Sequence, residues 1–149
     1  MSEPYPELWK KIEGYRDDMI EMQRQLCAMP ALSPENGGDG ETQKAEWLLN
    51  FIREWPFSIL EVIKAPDDRV SSGYRPNIIA VLPGEDQSTT LWLMAHTDVV
   101  PPGDPGKWSG DPWALRIDGD KLIGRGTEDN QQGIVSSIFA AKAFVDLGL

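Results

Sequence analysis

Apolar residues recur at Leu8, Ile12, Tyr15, Met19, Met22 and Leu26, in steps of four and three. That spacing keeps one face along a helical period and predicts a single long amphipathic helix over 8–26. The stretch MPALSPENGGDG, residues 29–40, is punctuated by Pro30, Pro34, Gly37, Gly38 and Gly40 and reads as a loop. A second helix fits 41–54, with Ala45, Leu48, Leu49 and Ile52 turned inward. The period then changes. SILEVIKA (58–65), NIIAVLPG (77–84) and TLWLMAH (90–96) are short, β-branched or apolar, and bounded by Pro, Gly, Asp and Ser, which marks them as strands. The last two are apolar at nearly every position, as expected of strands covered on both faces. WALRIDGDKLIGRG holds Asp118-Gly119-Asp120 between alternating runs and predicts a hairpin. A third helix, from Gln131 to Leu147, is apolar on most sides through Ile134, Val135, Ile138, Phe139, Ala143 and Val145, and so expects cover from further structure.

Helices followed by strands, a hairpin and a helix predict an α/β fold, with a mixed sheet packed between helices. The third strand ends at His96, and α/β folds place ligand sites in the loops at the carboxyl ends of sheet strands. At 149 residues the chain is about one domain long, without repeats or an interdomain linker. The 24 Asp and Glu against 14 Lys and Arg give a formal charge of −10. That balance excludes the basic surface that nucleic acid or an anionic membrane requires. The single cysteine, Cys27, cannot staple the fold and reads as packing; a reducing, cytoplasmic location is expected. The opening MSEPYPELWK lacks the basic and apolar regions of a signal peptide, and no apolar run approaches the ~20 residues of a membrane span.

His96 is the only histidine, and it stands two residues before Asp98 in HTDVVPP. A ligating imidazole commonly donates its second N–H to a carboxylate, which fixes the tautomer. The plainer readings are a hydrogen-bonded structural histidine and a turn-capping aspartate. Further on, GRGTEDNQQG places Asp129 just before the third helix, where an aspartate also serves as a helix cap. The glycines lack the third position of a G-x-G-x-x-G fingerprint and there is no Gly-Lys-Ser/Thr, so a phosphate cradle is not specified. An imidazole and a carboxylate delivered to one cleft suit zinc, or cobalt or manganese.

Taken together, LMAHTDVVPPGD, then DPW, then DGDKLIGRGTED resemble the zinc aminoacylase, acetylornithine deacetylase and succinyl-diaminopimelate desuccinylase family of co-catalytic metallohydrolases. Residues 91–133 carry nearly all of that resemblance. It implies hydrolysis of an amide in an N-acyl amino acid or small peptide, at a site holding two zinc ions. By position, His96 resembles a metal ligand, Asp98 the catalytic-site carboxylate that orients it, and Asp129 the aspartate that bridges the two ions. The resemblance also implies a cis peptide at Asp129–Asn130. Gln131 departs from a lysine often found two residues after the bridging aspartate, a change expected to touch substrate class or local packing more than the metal.

The family's Glu-Glu pair, which supplies the general base and a ligand of the second metal, has no counterpart here, nor do its later ligands and its lid or dimerisation domain. Residues 1–149 are thus expected to be the N-terminal portion of an incomplete zinc-hydrolase catalytic domain. Glu128 is not expected to replace the base. The alternative is a non-catalytic metal-binding or interaction module of the same fold. Self-association is expected through apolar surfaces near Leu91 and Ile134–Val145 left without neighbours.

Overall fold

Two helices stand where the apolar spacing predicts one. In the computed structural model, which describes residues 5–149, α1 (Tyr5–Glu13) ends at Gly14 and α2 (Arg16–Ala28) begins after Tyr15. Glycine weakens a helix interior, and tertiary contacts use the break. The ring of Tyr15 is buried 5.4 Å from that of Phe139, and its hydroxyl donates to Asp146 Oδ2 at 2.7 Å. Residues 29–41 form the expected loop, with one short helical turn at Pro34–Asn36. The next helix, α3 (Thr42–Ile52), buries Ala45, Leu48 and Ile52 as predicted, and also Lys44, which the pattern had not singled out.

Beyond α3, β1 (Ile59–Pro66) and β2 (Tyr74–Val81) pair antiparallel, from Ile59 opposite Val81 to Pro66 opposite Tyr74. The predicted hairpin forms as β3 (Arg116–Asp118) and β4 (Lys121–Ile123). Its two-residue loop starts with Gly119 at φ +60°, the first-position glycine of a type II′ turn. The architecture is α/β, and its sheet portion consists of these two antiparallel ladders.

Residues 90–96 correct the strand expectation: they carry no strand structure. An apolar segment becomes a strand only beside a hydrogen-bonding partner, and among the described residues β1 pairs with β2 and β3 with β4 alone. Leu91, Trp92, Leu93 and Met94 are exposed as a result, Leu91 and Met94 at 84% each.

The last helix, α4 (Gln132–Leu147), is covered instead by the chain's own N-terminal half. Ile134, Val135, Phe139 and Ala143 are buried in one core with Leu8, Met22, Leu26 and Leu48. The expectation that α4 lacks cover is therefore overturned for that face; Phe144 alone remains exposed among its large apolar residues. Between β4 and α4 the chain turns through Thr127–Gln131, where Asp129 (φ −120°, ψ 93°) and Asn130 (φ −133°, ψ 25°) leave helical geometry. The Asp129–Asn130 peptide is cis, as the family resemblance implies. No helix among the described residues is long and apolar enough to cross a membrane.

Candidate metal centre

Two loops carry the three residues singled out above. The first, 97–99, has no regular structure and is held from the main chain at two points. Val99 N donates to Ala31 O at 3.0 Å, and Lys44 Nζ donates to Thr97 O at 3.0 Å. Val99 is buried, which anchors the segment further. His96 and Asp98 flank the clamped carbonyl, and their side chains meet. Nδ1 of His96 lies 3.0 Å from Asp98 Oδ1 and 3.1 Å from the Asp98 carbonyl oxygen.

The second loop brings Asp129 to the other side of the ring, with Oδ1 3.0 Å from His96 Nε2. Gln131, two residues on, is buried and fixes this loop to α2. Its Oε1 accepts from Gln23 Nε2 at 3.0 Å, and its Nε2 donates to Leu26 O at 3.2 Å. The residue that departs from the family pattern thus has its amide engaged in packing against α2. The two loops touch at Gly126, whose φ of +80° belongs to the left-handed region. A Cβ added there would lie 2.6 Å from Val99 Cγ1 and 2.8 Å from Gln131 Nε2. Nearby, Cys27 is fully buried and donates to Pro112 O at 3.4 Å. Burial pushes its thiol pKa up, as suits packing rather than reactivity.

Nε2 of His96 faces the Asp129 carboxylate, and Nδ1 faces both the carbonyl oxygen and the carboxylate of Asp98. Partial burial disfavours a charge on the ring, but the hydrogen bonds to Asp129 and Asp98, together with their charges, outweigh it and raise the imidazole pKa above its ordinary value. The sign follows directly. In the metal-free chain this contact stabilises the fold below the ordinary imidazole pKa, and that contribution is lost as pH rises through the raised one. Lys44 behaves oppositely: burial pushes its ammonium down to about 8, against the favourable pull of the Asp98 carboxylate.

The donor set fits a metal. His96 Nε2 and Asp129 Oδ1, 3.0 Å apart, are the atoms that would hold zinc. Asp98 sits on the far nitrogen, where it can orient the ring but not share the same ion. Among the described residues no set of three His, Cys, Asp or Glu side chains is arranged to hold a metal. The centre is open, with the His96 and Asp98 side chains 48% exposed and Asp129 82%. A groove of about 580 Å³ lies elsewhere, between Met19, Ile20, Ile117, Leu122 and Val135, and none of the three residues lines it.

Comparison with known proteins gives this geometry a context. Residues 92–149 match the model of Peptidase family M20/M25/M40. An uncharacterized metallohydrolase of Methanococcus maripaludis is 35% identical over 130 residues, which are 85% of this chain and 31% of that protein. A succinyl-diaminopimelate desuccinylase of Blochmanniella floridana is 30% identical over 131 residues, 87% of this chain and 31% of that protein. Among solved structures, the di-peptidase Dug1p of Saccharomyces cerevisiae superimposes with a TM-score of 0.80 at 20% identity, over 99% of this chain and 32% of that one. That likeness establishes the fold. The chain spans about a third of the length of these relatives.

Proposed function

We propose, on the premise that this chain resembles peptidase family M20/M25/M40 in sequence and in fold, that it carries part of the active site of a metal-dependent amide hydrolase. The substrate class is a small N-acyl amino acid or short peptide, in keeping with the desuccinylase and di-peptidase among the proteins it resembles. The observation that carries this reading is the single imidazole held between two carboxylates, Asp98 on Nδ1 and Asp129 on Nε2. Asp98 accepts the Nδ1–H and so leaves Nε2 as the coordinating nitrogen, beside Oδ1 of Asp129. Zinc is the preferred ion for an imidazole and carboxylate pair, with cobalt or manganese as alternatives. A bound metal would polarise the amide carbonyl and acidify the attacking water. Among the described residues this reading assigns no further metal ligand and no general base. The lone buried thiol of Cys27 is in keeping with a cytoplasmic, reducing setting.

Two protein ligands fall short of the three or four of a tight zinc site. Calorimetric titration of zinc into the purified chain is expected to show weak binding that disappears in His96→Ala. Because Nε2 must lose its proton to bind, affinity is expected to fall about tenfold per pH unit below the raised imidazole pKa and to level off above it. Submicromolar zinc affinity that survives His96→Ala would refute the assignment.

The exposed strip Leu91–Met94 supports a proposal about association. Four consecutive large exposed apolar side chains, in a segment without a strand partner among the described residues, offer a surface for pairing. Light scattering is expected to show self-association of the chain, with binding of a hydrophobic dye, and Trp92→Glu with Met94→Lys is expected to reduce both. A monodisperse wild-type monomer that binds no dye would contradict it.

A further inference from the structure

Lys44 is the largest side chain in the structure that is almost wholly withdrawn from solvent, at 1% exposure. A lysine on a helix ordinarily lays its methylenes on the core and extends its ammonium to water. This one does not. Its hydrogen bond goes to a main-chain carbonyl, Thr97 O at 3.0 Å, rather than to a carboxylate. A buried ammonium with no carboxylate within 4.0 Å among the described residues is an unfavourable way to add stability, and an apolar side chain of similar volume would serve the core better. What the ammonium does contribute is a fixed position for Thr97. That residue lies between His96 and Asp98, in a segment that no helix or strand defines. The clamp acts from α3, an element separate from both α2, which holds the Asp129 loop, and the backbone contact of Ala31 to Val99.

We propose that Lys44 is a positioning residue for His96: by holding the Thr97 carbonyl it sets the turn in which Asp98 folds back onto Nδ1 of the imidazole. Without the clamp the turn relaxes, Asp98 separates from the ring, and the ring loses its fixed orientation toward Asp129. The functional consequence rests on the reading of His96 and Asp129 as metal ligands; the structural one does not.

The test uses the chain as it stands, and its lone histidine makes the ring signals unambiguous. In nitrogen-15-labelled, metal-free protein at low temperature and mildly acidic pH, the Nδ1–H proton of wild type is expected to be visible and slowed in exchange. In Lys44→Met it is expected to exchange at least about tenfold faster, with the circular dichroism and urea midpoint unchanged or improved. Cobalt affinity is expected to drop by about tenfold, the lower end of what loss of an outer-shell partner does to a metal site. A protected Nδ1–H in Lys44→Met, or none in wild type, overturns the proposal. If neither protein binds cobalt, the metal reading falls while the exchange result still decides the role of Lys44. Should Lys44→Met not fold, Lys44→Leu is read by the same exchange measurement.

Discussion

Loaded with zinc or cobalt, the 149-residue chain is expected to leave acetyl- and succinyl-amino acids and dipeptides intact. The reason lies in what the described residues bring together. His96 Nε2 and Asp129 Oδ1 lie 3.0 Å apart, and Asp98 occupies the opposite nitrogen of the ring. The chain has no adjacent pair of glutamates, and on the proposed reading the site therefore lacks the general base that the family resemblance implies. Loss of general acid–base catalysis alone lowers the rate by ~10²–10⁴-fold. An incomplete ligand set also weakens carbonyl polarisation and the template for the nucleophile. The two losses concern groups that act as a unit and will not add, but each points toward silence. Glu128 is the one carboxylate beside Asp129 in sequence and is exposed; Glu128→Gln is expected to change nothing. The control is the longest chain that the gene encodes, assayed in parallel. Turnover by the short chain, abolished by Asp129→Ala, would refute the reading of a partial site. Silence in both chains would favour the non-catalytic, metal-binding or interaction module.

The elements that local patterning could specify are those whose partners lie nearby in sequence or whose turn chemistry is strict. Gly119 in Asp-Gly-Asp set the β3–β4 hairpin, and the four-residue spacing of Leu48 and Ile52 set the inner face of α3. The errors have a common cause in contacts remote along the chain. The break at Gly14–Tyr15 depends on Phe139 and Asp146, more than a hundred residues away. The segment 90–96 has the composition of a buried strand, but composition cannot supply the partner ladder, and none is present among the described residues. The His-x-Asp spacing and the later Asp129 stood out in the sequence, and the structure brings the three side chains together. The supports were harder to see. Lys44 does lie on the same stripe as Leu48, four residues before it, and a charged residue on an otherwise apolar face was the available signal. Gln131 stood out as a departure from a family pattern, yet its role as a link to Gln23 and Leu26 could be assigned only from its contacts.

Gly126→Ala is expected to be the most disruptive single-methyl substitution near the centre, and the contrast with Gly119→Ala isolates why. Both glycines have positive φ, +80° at Gly126 and +60° at Gly119. An alanine in that region costs ~1–2 kcal/mol at either position. At Gly119 the new methyl meets nothing within 4 Å, so the backbone term is the whole effect. At Gly126 it would sit 2.6 Å from Val99 Cγ1, 2.8 Å from Gln131 Nε2 and 3.0 Å from Gln131 Cδ. Neither neighbour can yield cheaply. Val99 is buried and tied to Ala31, and Gln131 is buried and bonded on both sides of its amide. Overpacking of this kind adds ~1–3 kcal/mol, for a total of about 2–5 kcal/mol out of the ~5–15 that a domain typically has. The damage also reaches the site, because Val99 belongs to the loop of His96 and Asp98, and Gln131 to the loop of Asp129. Urea denaturation should place Gly126→Ala well below Gly119→Ala in stability, and zinc titration should show weaker binding in the first and wild-type binding in the second. Equal stability of the two variants would mean that the loops do not meet at Gly126. Equal stability loss with zinc affinity retained is not expected, because the same methyl that strains the fold also reaches the site.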